Sequence, residues 1–137
     1  MSFFPLALHR IVTVWRLRWL LGNTQPDSSY SPVPGRILYV AASCLPYHVS
    51  GYTSRTHELL RALKEGGADL RVVTRTGYPW DRRDSLCLPE EENTLRDGID
   101  YHHSRNPRNN RLTAIYAAQA ATVLESYARQ EGIARIH

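Results

Sequence analysis

The sequence predicts an α/β fold: a parallel sheet with flanking helices, preceded by a helical extension. Three observations predict it. Two short apolar runs enclose an amphipathic stretch, a second helical stretch follows, and a further apolar run lies at the end of the sequence. A strand, a helix and a strand with short joints form the right-handed crossover unit of a parallel sheet. At 137 residues the chain suits a single domain with a modest core and no need of disulfides.

Residues 1–22 stand apart. Leu8, Ile11, Val12, Trp15 and Trp19 recur at helical spacing while His9, Thr13 and Arg16 fall on another face, which predicts an amphipathic helix. His9-Arg10, Arg16 and Arg18 interrupt its apolar runs, so it is too broken to span a bilayer, and it lacks the basic start of a signal peptide. Two readings stand side by side: the stripe packs on the protein's own core or forms a loose extension, or it lies on an anionic membrane surface. Residues 23–34 (NTQPDSSYSPVP), rich in Pro and Ser, read as a linker into a domain spanning 35–137.

Within that domain Arg36–Ala42 (RILYVAA) reads as a buried parallel strand. A long turn, Ser43–Gly51, leads to a helix over Thr53–Glu65, with Thr56, Leu59, Leu60 and Leu63 on one stripe, Thr53 as N-cap and Gly66-Gly67 as the stop. Asp69–Thr74 is the second strand. Thr76–Gly98, polar and carrying Glu90-Glu91-Glu92, reads as a surface loop. Ile99–Ser104 is a third strand, Leu112–Arg129 a helix ended by Gly132, and Ile133–His137 the start of a further strand. Adjacent His102 and His103 point to opposite faces of their strand and form no two-histidine site.

The 42% apolar and 22% charged content is that of a soluble globular chain, neither disordered nor membrane-spanning. Its +4 charge is almost wholly guanidinium, since Lys64 is the one lysine. Arginine suits bidentate recognition of phosphate and carboxylate, but these arginines are scattered, and without aromatics interleaved on one face they do not argue for nucleic acid. Cys44 and Cys87 match no metal-ligand spacing and read as free thiols of a reducing, cytoplasmic compartment. No metal site is expected.

In an open parallel sheet ligands gather where loops leave the carboxyl ends of the strands. The turn after the first strand has neither the G-x-G-x-x-G dinucleotide fingerprint nor a P-loop. Ser50-Gly51 just before a helix N-terminus suits an anion, since unpaired N–H groups and the positive dipole end meet there. The plainer alternative is a tight connection, with Gly51 supplying an unusual backbone angle and Ser50 a cap.

Read whole, LPYHVSGYTSRTHELLRALKEGG resembles the first loop and helix of family 4 glycosyltransferases, whose members show a P-Y-H-x-G-G-Y-x-x-R-T-H pattern. VVTRTGYPWD is similar to their T-R-x-G-Y-P-W-D, and Ala134-Arg135-Ile136-His137 to the start of their I-H-A-x-S segment. The resemblance implies a Rossmann-like N-terminal domain of a two-Rossmann-domain (GT-B type) enzyme. It also implies metal-independent, retaining transfer from a nucleotide-sugar donor, with no further cofactor. By position, Ser50, Gly51 and Tyr52 would face the donor diphosphate or acceptor. Tyr47, His48, Arg55, Thr56, His57, Arg75, Gly77, Tyr78 and Trp80 would shape the acceptor pocket, and His137 would lie near the reaction centre. Ser50 replaces the first glycine of the family's pair, and its side chain would crowd a phosphate.

The family's glutamate pair, E-x-x-x-x-x-x-x-E, belongs to a C-terminal donor domain and has no counterpart here. The resemblance therefore implies an acceptor-side part, truncated before its donor half and inactive alone, acting on a glycan or lipid-linked acceptor. The alternative is a non-catalytic Rossmann-like module that pairs with a separate donor-binding domain. If residues 1–22 bind lipid, the expected location is the inner face of the membrane.

Overall fold

A computed structural model describes residues 4–23, 27–109 and 113–137. They fall into two compact units, residues 1–30 and 31–137. The first holds helix α1 (Phe4–Asn23). From Leu8 to Trp19 its described large apolar side chains are exposed, Trp15 at 71% and Trp19 at 58%. No helix among the described residues is long and apolar enough to cross a membrane.

The second unit is a Rossmann-like α/β sheet. In chain order it comprises β1 (Ile37–Ala41), α2 (Gly51–Glu65), β2 (Leu70–Thr74), β3 (Asn93–Arg96), β4 (Ile99–His102), α3 (Thr113–Glu131) and β5 (Arg135–Ile136). The sheet order is β3-β4-β2-β1-β5. β1 pairs in parallel with both β2 and β5, and β2 in parallel with β4. Strand order thus reverses at β1, and the crevice beyond the carboxyl ends of β1 and β5 is where such sheets take ligands.

Each face of the sheet carries its own core. On one side Leu60 of α2 packs with Tyr39, Val72, Ile99 and Tyr101; on the other Ala128 and Leu124 of α3 pack with Leu38, Val40 and Val73. The continuous apolar runs of β1 and β2 follow from this double covering. Helix α2 ends in paired bonds, Gly67 N–H to Lys64 O at 3.0 Å and Ala68 N–H to Leu63 O at 3.1 Å, which satisfy its last carbonyls at the expected glycine stop.

Several expectations are corrected. The N-cap of α2 is Ser50, not Thr53, and the helix begins at Gly51. The polar stretch Thr76–Gly98 is not all loop: its end forms β3, antiparallel to β4. The pair closes through Asp97-Gly98, with φ of 46° and 79°, the two positive angles that a tight hairpin turn demands. Edge strand β3 is mostly exposed and so carries no apolar alternation. The last strand is shorter than expected, because Ile133 packs in the α3 core before β5 starts at Arg135. Val33 donates to Gly132 O at 2.9 Å, so part of the expected 23–34 linker belongs to the folded unit. Of the helix expected from Leu112, that residue lies outside those described.

Candidate functional site

The site is built by the loops that leave the parallel strands. The β1 exit loop, Ser43–Ser50, is fixed from below by Tyr78: its buried hydroxyl donates to Cys44 O at 3.0 Å and accepts from Cys44 N–H at 3.2 Å. Leu86 N–H donates to Tyr47 O at 2.8 Å, laying the later loop against this one. Burial and the Tyr78 contact set the Cys44 thiol: burial dominates and pushes it up to about 12, so it is no nucleophile.

At the end of that loop Ser50, extended at φ −156° and ψ 165°, caps α2. Thr53 N–H donates to Ser50 Oγ at 3.2 Å and Ser50 N–H to Thr53 Oγ1 at 2.8 Å. The first helical residues, Gly51 and Tyr52, are exposed, as is Arg55 one turn on. A Cβ placed on Gly51 would meet nothing within 4 Å, and Gly51 has no positive φ. Its value is therefore open access to the backbone and not an unusual angle.

The β2 exit loop forms the neighbouring rim. Asp81 holds Arg75 through both carboxylate oxygens, one contact at 2.8 Å. Burial pulls Asp81 upward, but the Arg75 hydrogen bond and charge outweigh it and hold the carboxyl below its ordinary range. Gly77, at φ 84°, sits so close to Pro107 and Arg108 that a Cβ would lie 2.8 Å from their backbone atoms. Trp80 is partly exposed, with the Arg105 guanidinium 4.7 Å over its ring and His103 edge-on at 6.2 Å. His48, half-buried, lies 3.6 Å from Asp84, whose carboxyl the Arg82 hydrogen bond lowers to about 2.

The expected site residues divide. Ser50, Gly51, Tyr52, Arg55, His48 and Trp80 reach the rim or the surface. Thr56, His57, Gly77 and Tyr78 stand buried inside the fold. His57 bridges Tyr101 Oη at 2.8 Å and Asp97 Oδ2 at 3.1 Å, a packing role under α2. Tyr47, also buried, meets Thr94 Oγ1 at 2.6 Å. Arg75 is half-buried and committed to Asp81. His137 continues the ladder beside β1, donating its N–H to Leu38 O at 2.8 Å, and its ring lies 5.2 Å from Tyr39. There it lines an apolar hollow of about 300 Å³ with Tyr39, Leu59, Leu63 and Ile136.

Arg105 escaped the sequence reading, since nothing in its spacing ties it to Trp80. Asp81 was readable only as part of the PWD run. Among the described residues no group of three or more His, Cys, Asp and Glu is placed to hold a metal ion. No family model matches the chain, and no curated protein or solved structure does either.

Proposed function

We propose that this chain is the acceptor-side wall of a glycosyltransferase, one that moves a sugar from a nucleotide-sugar donor with retention and without a metal. One observation carries the reading: the mouth of α2 opens uncovered at the carboxyl end of β1, where the strand order reverses. The amides of Gly51 and Tyr52 belong to the first turn of the helix, which has no intrahelical acceptors for them. With the helix dipole they hold an anionic group, and exposed Arg55 pairs with it. Trp80, braced by Arg105, offers a ring face or edge to a sugar. The P-Y-H-x-S-G-Y and T-R-x-G-Y-P-W-D runs supply the resemblance that points to sugar transfer. Donor contacts fall to residues other than these, because the glutamate pair has no counterpart here.

Calorimetric titration of the 137-residue protein with pyrophosphate and with nucleotide sugars tests the reading. Binding is expected, weakened by Arg55→Gln and by Gly51→Val, together with no sugar transfer by the chain alone. Binding indifferent to both substitutions sinks the assignment. Transfer by this chain alone removes the claim that donor contacts lie elsewhere.

One observation favours the second reading, a non-catalytic module that pairs with a separate donor domain. Ser50 occupies the position of the first glycine, and its hydroxyl is engaged with Thr53. Sugar binding at the Trp80 rim without any pyrophosphate affinity decides for that module.

A further inference from the structure

Helix α1 presents a chemistry that the sheet does not share. Its stripe of Leu8, Ile11, Val12, Trp15 and Trp19 is exposed throughout, and Val14, Leu17 and Leu21 add exposed apolar surface elsewhere on the helix. A helix with so much apolar surface is stable only when something covers it. The helix also carries Arg10, Arg16 and Arg18 and no carboxylate, and Asp27 is the first acidic residue of the chain. At one residue per 100° of turn, Arg16 and Arg18 flank the tryptophan stripe on opposite sides and Arg10 stands behind it.

We infer that α1 is an interfacial anchor that lies in the headgroup region of an anionic lipid surface, with Trp15 and Trp19 dipping toward the acyl chains. Charge selects this occupant. A second copy of α1 would bring arginines against arginines with no acid to pair them, which disfavours self-association. An anionic bilayer pairs with Arg16 and Arg18 at the edges of the stripe and attracts Arg10 from farther off, and tryptophan prefers the boundary between headgroup and hydrocarbon. Arginines within the apolar run keep the helix in the plane, in accord with the absence, among described helices, of one fit to cross a membrane. The inference stands on α1 alone and does not rest on the transferase reading, so the two fail independently.

Flotation of the full chain with vesicles of phosphatidylcholine and phosphatidylglycerol, against phosphatidylcholine alone, tests it. Binding to the anionic vesicles is expected, weakened by added salt. Trp15→Ser with Trp19→Ser lowers affinity roughly tenfold or more by removing the buried rings. Replacing all three arginines with glutamine lowers it on the order of a hundredfold, at about fivefold for each charge. The triple lysine variant keeps the charge and is expected to keep binding, which separates attraction from any loss of folding. Equal affinity for neutral and anionic vesicles overturns the inference, as does absence of binding or its loss in the lysine variant. A vesicle-free dimer abolished by the tryptophan substitutions would name a second copy as the occupant and overturn it equally.

Discussion

Ser50 and Thr53 cap each other at the mouth of α2, each side-chain oxygen accepting the other's backbone N–H, at 3.2 Å and 2.8 Å. The reciprocal pair satisfies two amides that the helix leaves unbonded, and so fixes the angle at which the β1 exit loop enters the helix. Ser50→Ala is expected to cost about 1 kcal/mol in urea denaturation, and Ser50→Gly only a few tenths. The glycine variant also uncovers the backbone beside Gly51. If that turn holds a phosphate, pyrophosphate binds Ser50→Gly more tightly than the parent; unchanged affinity would reduce Ser50-Gly51 to a helix start.

Tyr78 ties the exit loops of β1 and β2 together by two hydrogen bonds to the backbone of Cys44. Burial dominates its phenol and pushes it up to about 12, so it stays a neutral donor. Tyr78→Phe removes a buried partner from both Cys44 groups while keeping the ring. The expected loss is about 1–3 kcal/mol, read as a lower denaturation midpoint with an unchanged slope. A variant as stable as the parent would mean that water replaces the hydroxyl and that the loops are not fixed this way.

Elements that bury a continuous face were legible in the sequence. β1 and β2 sit close to where their apolar spacing puts them, since both faces of this sheet are covered. The buried side of α2 was read less well. Periodicity placed Leu59 and Leu63 with Thr56 and Leu60, whereas the helix buries Thr53, Thr56, His57 and Leu60 and leaves Leu59 and Leu63 substantially exposed. The rotation follows polar partners that spacing does not reveal: His57 reaches across 44 residues to Tyr101 and across 40 to Asp97. The burial of Tyr78 is hidden for the same reason, because an aromatic in an exit loop does not show where its hydroxyl goes. The open mouth at Gly51 was legible, since a strand end, a small-residue step and a helix start follow each other directly in the chain.

Gly77 is a stability position within the TRTGYPWD run. Its φ of 84° disfavours any side chain, and a Cβ would lie 2.8 Å from both Pro107 O and Arg108 Cα. Gly77→Ala adds strain and overpacking, each on the order of 1–3 kcal/mol. The expected result is a marked fall in thermal midpoint with greater protease sensitivity around residues 105–109. Parent-like stability would show that the segment at Pro107 yields freely, and that close packing does not explain the glycine.

His103 sets the response of the fold to mild acid. Its ring is fully buried, with Nδ1 2.9 Å from Thr74 Oγ1 and Nε2 3.1 Å from Thr94 Oγ1, and with Trp80 and Tyr47 edge-on. Burial first, and then neighbouring His102, lowers it from the ordinary 6.5 to about 4. Above pH 6.5 the ring is neutral in folded and unfolded chains alike and the stability is undiminished. As pH falls below 6.5 the unfolded chain takes up a proton that the folded one refuses, so stability drops until about pH 4 and then levels for this group. By pH 5 the loss is about 2 kcal/mol. The carboxyls held below their ordinary range, among them Asp69, Asp81 and Asp97, contribute their own losses at lower pH, which separates the two windows. Urea midpoints for the parent and for His103→Gln, measured from pH 7.5 down to about 5, are expected to diverge: the parent weakens with acid and the glutamine variant holds nearly level. Equal slopes would show that His103 accepts its proton in place, through a rearrangement of the Thr74 and Thr94 contacts.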